Sequence, residues 1–351
     1  MALDTSFNTE IAAEVKSLTS ADKLEFANLI YSATSDIGDF AEKHNVITDV
    51  RKGNAVPIIT QGNNYGALSA SQGNCAMNQC DFADAYSLKE WVIGPYDCRF
   101  EICLDSYSED FRLFWKIYAQ KLDNPLEDPD KDAFFAYVAD KAQRNIRGAS
   151  WRTGYYGDTT SNNTLISKNN GFFTEADAGD GIKVTLPAGE LTGQQVYDAL
   201  ADMYLQASNE DWFSETTSKF IVTRKMARTL VTWLNSLSDK SMYNCDCIDP
   251  SKVVSARAFG IDNLSIFGIP VISYKEVDEA GKVIGVNPDF KALLINDDNM
   301  LVGVNTTEHL NQFKLIYDEV NHKVLVDMKI QIGTAIPLDE YVFATQTAVE
   351  G

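Results

Sequence analysis

The stretch DPDKDAFFAYVADKAQRNIRG, residues 128–148, constrains this chain more than any other. Phe134, Val138, Ala142 and Ile146 recur four apart, the spacing that lines one face of an α-helix. Asp128 can cap the start, and Pro129 suits the first helical position, where its missing N–H removes no bond. Asp130 and Asp132 gather at that end, and Lys141, Arg144 and Arg147 at the other, matching the helix dipole. Gly148 can end the helix, or the apolar pattern can run on to Trp151. Its apolar face is expected to pack on strands formed by residues 312–332.

Those strands announce themselves by a period of two. In VNHKVLVDMKIQIG, Val324, Val326, Met328, Ile330 and Ile332 alternate with Asp327, Lys329 and Gln331. Asn321-His322 joins this run to FKLIYDEV as a hairpin. A second alternation stands in YDCRFEICL, where Tyr96, Cys98, Phe100, Ile102 and Leu104 interleave with Asp97, Arg99, Glu101 and Cys103. Before it come the extended VRKGNAVPII and then TQGNNYGALSASQGNCAMNQ, rich in small and polar residues. Two extended arms with such a tip predict a long projecting flap over residues 46–108, with too few large apolar residues to form its own core.

Residues 1–45 are expected to be a mobile arm followed by a helix that Ser20 can cap, with Leu24, Ala27 and Tyr31 on one stripe. SEDFRLFWKIYAQKL predicts an amphipathic helix through Phe111, Phe114, Trp115, Tyr118 and Leu122. Residues 153–193 are loop-rich. Thr192 and Gln195 make a capping box for a helix burying Val196, Leu200, Met203 and Ala207. KFIVT is a strand, and Thr223 caps a helix with Met226, Leu230, Trp233 and Leu237 inward. GIPVISYKEV and KALLIN complete a mixed helix-and-sheet unit. Pro270, lacking an amide hydrogen, belongs at a strand's start or on an edge.

At 351 residues the chain exceeds the size at which one core stops growing, so two sub-domains are expected. With 50 acidic against 30 basic residues its formal net charge is -20, which argues against broad electrostatic binding of nucleic acid. The amino terminus has no apolar run behind a basic region, so no secretory signal is expected. No stretch approaches about 18 consecutive apolar residues, the length of a membrane span. The six cysteines are expected to be reduced intracellular thiols.

Chemistry-bearing patterns are scarce. There is no Walker loop, nucleophile elbow or His-Glu-x-x-His helix. His44, His309 and His322 lie far apart and are expected on surface loops. Asp128, Asp130 and Asp132 imitate a calcium loop, but Ala133 stands where glycine is needed and Ala139 where glutamate is needed. Cys75 and Cys80, then Cys98 and Cys103, have spacing too long for a usual zinc loop, and residues five apart on a strand face opposite ways. Cys245 and Cys247 fall in a loop-like segment without an assigned role. No catalytic, cofactor-binding or metal-ligating residue is therefore expected.

The order of elements is more informative: arm, flap, amphipathic helix, long capped helix, glycine loop, mixed unit, returning strands. It resembles the tailed-phage major capsid protein family, whose Hong Kong ninety-seven-type fold is shared by encapsulins. RGASWRTGYYGD is similar to the glycine-containing turn that follows the family's spine helix. Gly268-Ile269-Pro270-Val271 matches its Gly-x-Pro-Val strand entry, and ALLINDDNMLVGVNTTEHLNQFKLIYDE its return into the peripheral sheet.

That resemblance implies an α+β fold. Its parts would be an N-terminal arm at 1–45, an extended loop at 46–108, a peripheral domain with a long spine helix at 109–189, an axial domain at 190–304, and return strands of the peripheral domain at 305–351. It implies a non-enzymatic major capsid subunit that self-assembles, through hexamers and pentamers, into an icosahedral shell around double-stranded viral DNA. Scaffolding, portal and decoration proteins are the implied partners, with packaged DNA held without sequence-specific contact and no membrane. The implied location is the virion capsid, assembled in the host cytoplasm, and no cofactor is implied. The alternatives are an encapsulin-like nanocompartment shell, an enzyme with a Gly/Asn-rich flexible lid, or a tail or decoration component.

Overall fold

The computed structural model describes residues 5–19, 22–23, 40, 43–60, 85–103, 129–210, 213–236, 264–285, 290–305, 313–321 and 323–347. Helix α1 (Thr5–Ser17) comes first, then β1 (Asn45–Thr48), the hairpin strands β2 (Ala55–Thr60) and β3 (Ala85–Glu90), and β4 (Gly94–Cys103). The long α2 (Pro129–Tyr156) and short α3 (Phe172–Ala178) follow. After them come β5 (Ile182–Leu186), α4 (Gly193–Ala207), β6 (Ser218–Val222) and α5 (Arg224–Ser236). Strands β7 (Ser265–Ile266) and β8 (Ile269–Ile272), helix α6 (Lys275–Val283), and strands β9 (Ala292–Asn296) and β10 (Leu301–Val304) lead to the last part. It consists of β11 (Lys314–Asp318), β12 (Lys323–Ala335) and β13 (Phe343–Thr347).

Strand β12 is the axis of a five-stranded sheet. On one side β4 runs antiparallel to it, from Lys323↔Cys103 to Ile332↔Gly94. On the other side β11 pairs with its first half and β10 with its end, and β1 lies parallel beyond β10. The alternating residues Val324, Val326, Met328, Ile330 and Ile332 all lie in the core. The carboxylate of Asp318 fixes the β11–β12 turn, accepting from the Val320 N–H at 3.0 Å and from the Asn321 side-chain amide at 2.7 Å.

Helix α2 lies on this sheet. Phe134, Val138, Ala142 and Ile146 join the same core as β12, as the four-residue spacing requires. The helix runs through Gly148 to Tyr156. Glycine costs about 1 kcal/mol there relative to alanine. Burial of Trp151 and Tyr155 on the same helix outweighs it.

Three expectations change in this half of the molecule. Residues 5–17 are not a mobile arm but a helix, with Ile11 and Val15 buried against the β11 edge. Strand 94–103 is not the returning arm of a flap but a full member of the sheet, so the hairpin is made by β2 and β3. Residues 153–156 belong to α2, and 172–178 and 182–186 form α3 and β5, so the loop residues of this stretch are 157–171, 179–181 and 187–192. The helices expected around Leu24 and Phe111 lie outside the described residues.

The second sheet has the order β5-β13-β9-β6-β8-β7. Helices α4 and α5 cover one face through Val196, Leu200, Met203, Met226, Leu230 and Leu234. Leu234 rather than Trp233 is the buried residue of α5's last turn, and Leu237 lies outside the described residues. The capping box forms: the Thr192 N–H donates to Gln195 Oε1 at 2.9 Å, and the Gln195 N–H to Thr192 Oγ1 at 3.3 Å. Gly193 lets the two helices meet, since a Cβ there would lie 2.0 Å from the Trp233 Cβ. Phe220, Val222 and Leu294 face this core, while Ile221, Leu293 and Ile295 face the core of α2. Burial on both faces explains the continuous apolar runs at residues 220–222 of β6 and 292–295 of β9.

Pro270 finds its place at the margin of this sheet. β7 and β8 form a hairpin around Phe267 and Gly268, both left-handed, with φ of 52° and 81°. The Val271 N–H donates to Leu264 on the β7 side, and pairing with β6 begins only at Val271. Pro270 therefore stands where no ladder bond is required of it. The strand stops at Ile272; Lys275–Val283 is helix α6, not strand, because Val277 and Ala280 are buried one turn apart.

The described chain passes between the two sheets from β4 to β5, from β9 to β10 and from β12 to β13. A single 3-10 turn, Asp297–Asn299, joins β9 to β10, and another, Asp339–Tyr341, precedes β13. Hence β10 belongs to the first sheet and β13 to the second, and a boundary at residues 304–305 does not separate them.

Candidate interaction surface at the hairpin root

Among the described side chains, a few residues hold the root of the β2–β3 hairpin. Trp91, Val50, Ile93 and Ala335 form a small cluster apart from both main cores, with Val56 and Leu301 against it. Gly303 makes room for the indole, since a Cβ there would meet the ring at 3.0 Å. The Trp91 N–H donates to the Asn54 carbonyl at 2.9 Å and closes the root. Lys89 Nζ lies 3.0 Å from Glu175 of α3 and donates to the Ile336 carbonyl at 2.8 Å. Removing Lys89 would leave Glu175 charged and nearly buried, which is costly.

Register puts Val56 opposite Lys89 and Pro57 opposite Leu88. Alternation then turns Lys89 toward the body and Leu88 away from it. Leu88 is 72% exposed. Residues 61–84 lie outside the described residues. Sequence reading missed Trp91, Lys89 and Glu175 as partners; the tryptophan in KEWVIGP was the available signal, but its receptor, Gly303, is far along the chain.

His44 is the second departure. It is not on a surface loop but buried at the joint between the two sheets. Its Nδ1 is 2.7 Å from the Phe40 carbonyl, and its Nε2 is 2.9 Å from the Tyr155 hydroxyl. Phe172 stacks on the ring at 5.6 Å, and Trp151, Tyr155 and Tyr274 surround it at 5.7 to 5.9 Å. Gly154 lets Phe40 lie against α2, since a Cβ there would come within 2.5 Å of its ring. Burial pushes the imidazole pKa down to about 4 and the Tyr155 phenol well above its usual range.

The loop after α2 is tied down by polar bonds. The Gly171 N–H donates to the Gly157 carbonyl at 2.8 Å, and a Cβ on either glycine would strike backbone within 2.6 Å. The Tyr96 hydroxyl on β4 donates to Asn169 at 2.5 Å and accepts from the Lys168 N–H at 3.1 Å.

Cys98 is half-buried on β4, its thiol pushed up by burial, and the side chain of Cys103 lies outside the described residues. Cys75, Cys80, Cys245, Cys247, His309, His322 and Asp128 lie outside the described residues, as do the side chains of Asp130 and Asp132. Among the described residues, no three His, Cys, Asp or Glu side chains gather as metal ligands, and no helix is long and apolar enough to cross a membrane.

No family model and no curated protein matches the chain. Solved structures do. A chain of Gordonia phage Cozz superposes with a TM-score of 0.54 at 14% identity, covering 88% of this chain and 86% of that one. A chain of the satellite phage P4 procapsid with its size determination protein gives 0.51 at 14% identity, covering 100% and 99%. The chain has the Hong Kong ninety-seven-type capsid fold. A chain of Mycobacterium phage Cain gives 0.50 at 8% identity over 88% and 90%.

Proposed function

We propose that this chain is a shell subunit, a major capsid protein that self-assembles into an icosahedral shell enclosing double-stranded viral DNA. The observation that carries this reading is the full-length likeness to a procapsid chain. The rooted hairpin with Leu88 outward adds to it. Its role is structural and not enzymatic. In this reading α2 is the spine helix and β2–β3 the extended loop. The first sheet with α2 forms the peripheral domain, and the second sheet with α4 and α5 the axial domain. The principal partner is the chain itself, in hexamers and pentamers. Scaffolding, portal and decoration proteins join it during assembly in the host cytoplasm, and DNA is enclosed without sequence-specific contact. Repeated heterologous contacts suit one chain to closing a shell.

Size exclusion and negative-stain microscopy of the expressed protein test this. Capsomers or megadalton particles are expected; a stable monomer at all concentrations overturns the reading. Register ends at Thr60↔Ala85, so a two-residue turn can replace residues 61–84. That variant is expected to fold and to lose particle formation.

A further inference from the structure

The surroundings of His44 allow only one protonation state. The Phe40 carbonyl can only accept, so Nδ1 carries the ring proton, and the Tyr155 hydroxyl donates to Nε2. A second proton on Nε2 would point at that hydroxyl and force it to turn inside a fully buried site. Charged groups face the ring from three elements. Lys43 precedes it, with Nζ 5.5 Å from the Trp151 ring and 5.2 Å from the Tyr274 ring. Lys219 of β6 is buried and paired with Asp297, in the turn between β9 and β10. The two lysines oppose an imidazolium and Asp297 favours it, but burial is the largest influence and keeps the ring neutral.

The same residue binds distant parts together. Phe40 and His44 touch α2, α3 and the Tyr274 cap of α6. The next residue, Asn45, donates to the Asp297 carbonyl at 3.0 Å and opens β1. β1 then leads through Val50 into the hairpin root.

We propose that His44 is a proton-operated latch: its neutral ring pins residues 43–50 to the joint between the two sheets, and protonation of Nε2 releases them. The charge gained by the ring is a single proton taken from solvent, and no bond other than the Tyr155 hydrogen bond is lost at the ring itself. The latch acts within one chain and holds whether or not the chain forms a shell.

Hydrogen–deuterium exchange on the purified full-length chain between pH 7.5 and 4.5, corrected for intrinsic exchange, tests this. Protection in peptides covering residues 43–50 is expected to fall at least tenfold across that range, while α4 and α5 keep theirs. His44→Gln retains an acceptor toward Tyr155 but does not titrate, and is expected to abolish the pH dependence. Tyr155→Phe removes the donor that favours the neutral ring, and is expected to move the midpoint up by about one pH unit. Unchanged protection in the wild-type chain overturns the latch, as does an acid loss that persists in His44→Gln. If His44→Gln does not fold, an unmoved midpoint in Tyr155→Phe overturns it alone.

Discussion

Helix α2 and the β2–β3 hairpin both carry apolar residues at regular spacing, but they are held in different ways. From Phe134 to Tyr155, successive turns of α2 each place a side chain in the main core. The hairpin is fixed at its foot, by Trp91 in a separate small cluster and by the Lys89–Glu175 pair, while Leu88 faces solvent. Burial spread along an element makes it part of the folding unit. Burial at a root fixes where an element leaves the body, and Leu88 beside that root faces solvent.

The sharpest way to break this contrast is Val138→Asp. The residue is fully buried, and an unpaired carboxylate there costs several kcal/mol if it stays charged. Insoluble or unfolded protein is expected by circular dichroism. A soluble variant melting near the parent would mean that α2 is not the organising helix.

Trp91→Ala should cost about 3 kcal/mol, the lower end for truncating a buried aromatic residue, because its cluster is small. The helical signal should survive, and the loss should appear as raised exchange in residues 50–56 and 88–93. Collapse of the whole helical signal would show that the root is part of the main core.

The joint at His44 lies between these extremes and is read by pH. Its folded pKa of about 4 is below the unfolded 6.5, so the unfolded chain binds the proton first. Stability is full above pH 6.5 and falls as pH drops toward 4, by about 2 kcal/mol at pH 5. Urea midpoints at pH 7.5 and 5 measure this, and an equal value for both would refute the assignment.

The smallest effect is expected at Lys141, on the flank of the same helix, where Nζ lies 5.0 Å from the Phe100 ring. Lys141→Asp should cost under about 1 kcal/mol. Thermal melts of this variant beside Val138→Asp check the face directly. Equal losses would mean that the buried stripe is misassigned.

What the sequence determined by itself was local and periodic. The stripe of α2, the alternation of β12 and the Thr192–Gln195 box each follow from neighbours within a few residues, and the structure reproduces all three. Tertiary structure decided what depends on distant partners. Strand 94–103 has the same alternation whether it lines a flap or a sheet, and only its pairing with β12 chooses. Lys275–Val283 is helical because Val277 and Ala280 meet the α2 core, a contact that no local pattern contains. His44 is flanked in sequence by polar residues, and its burial comes from rings on α2, α3 and α6, more than a hundred positions away. A side chain's period shows which neighbours share its face; the partner that covers that face is fixed only when the chain closes on itself.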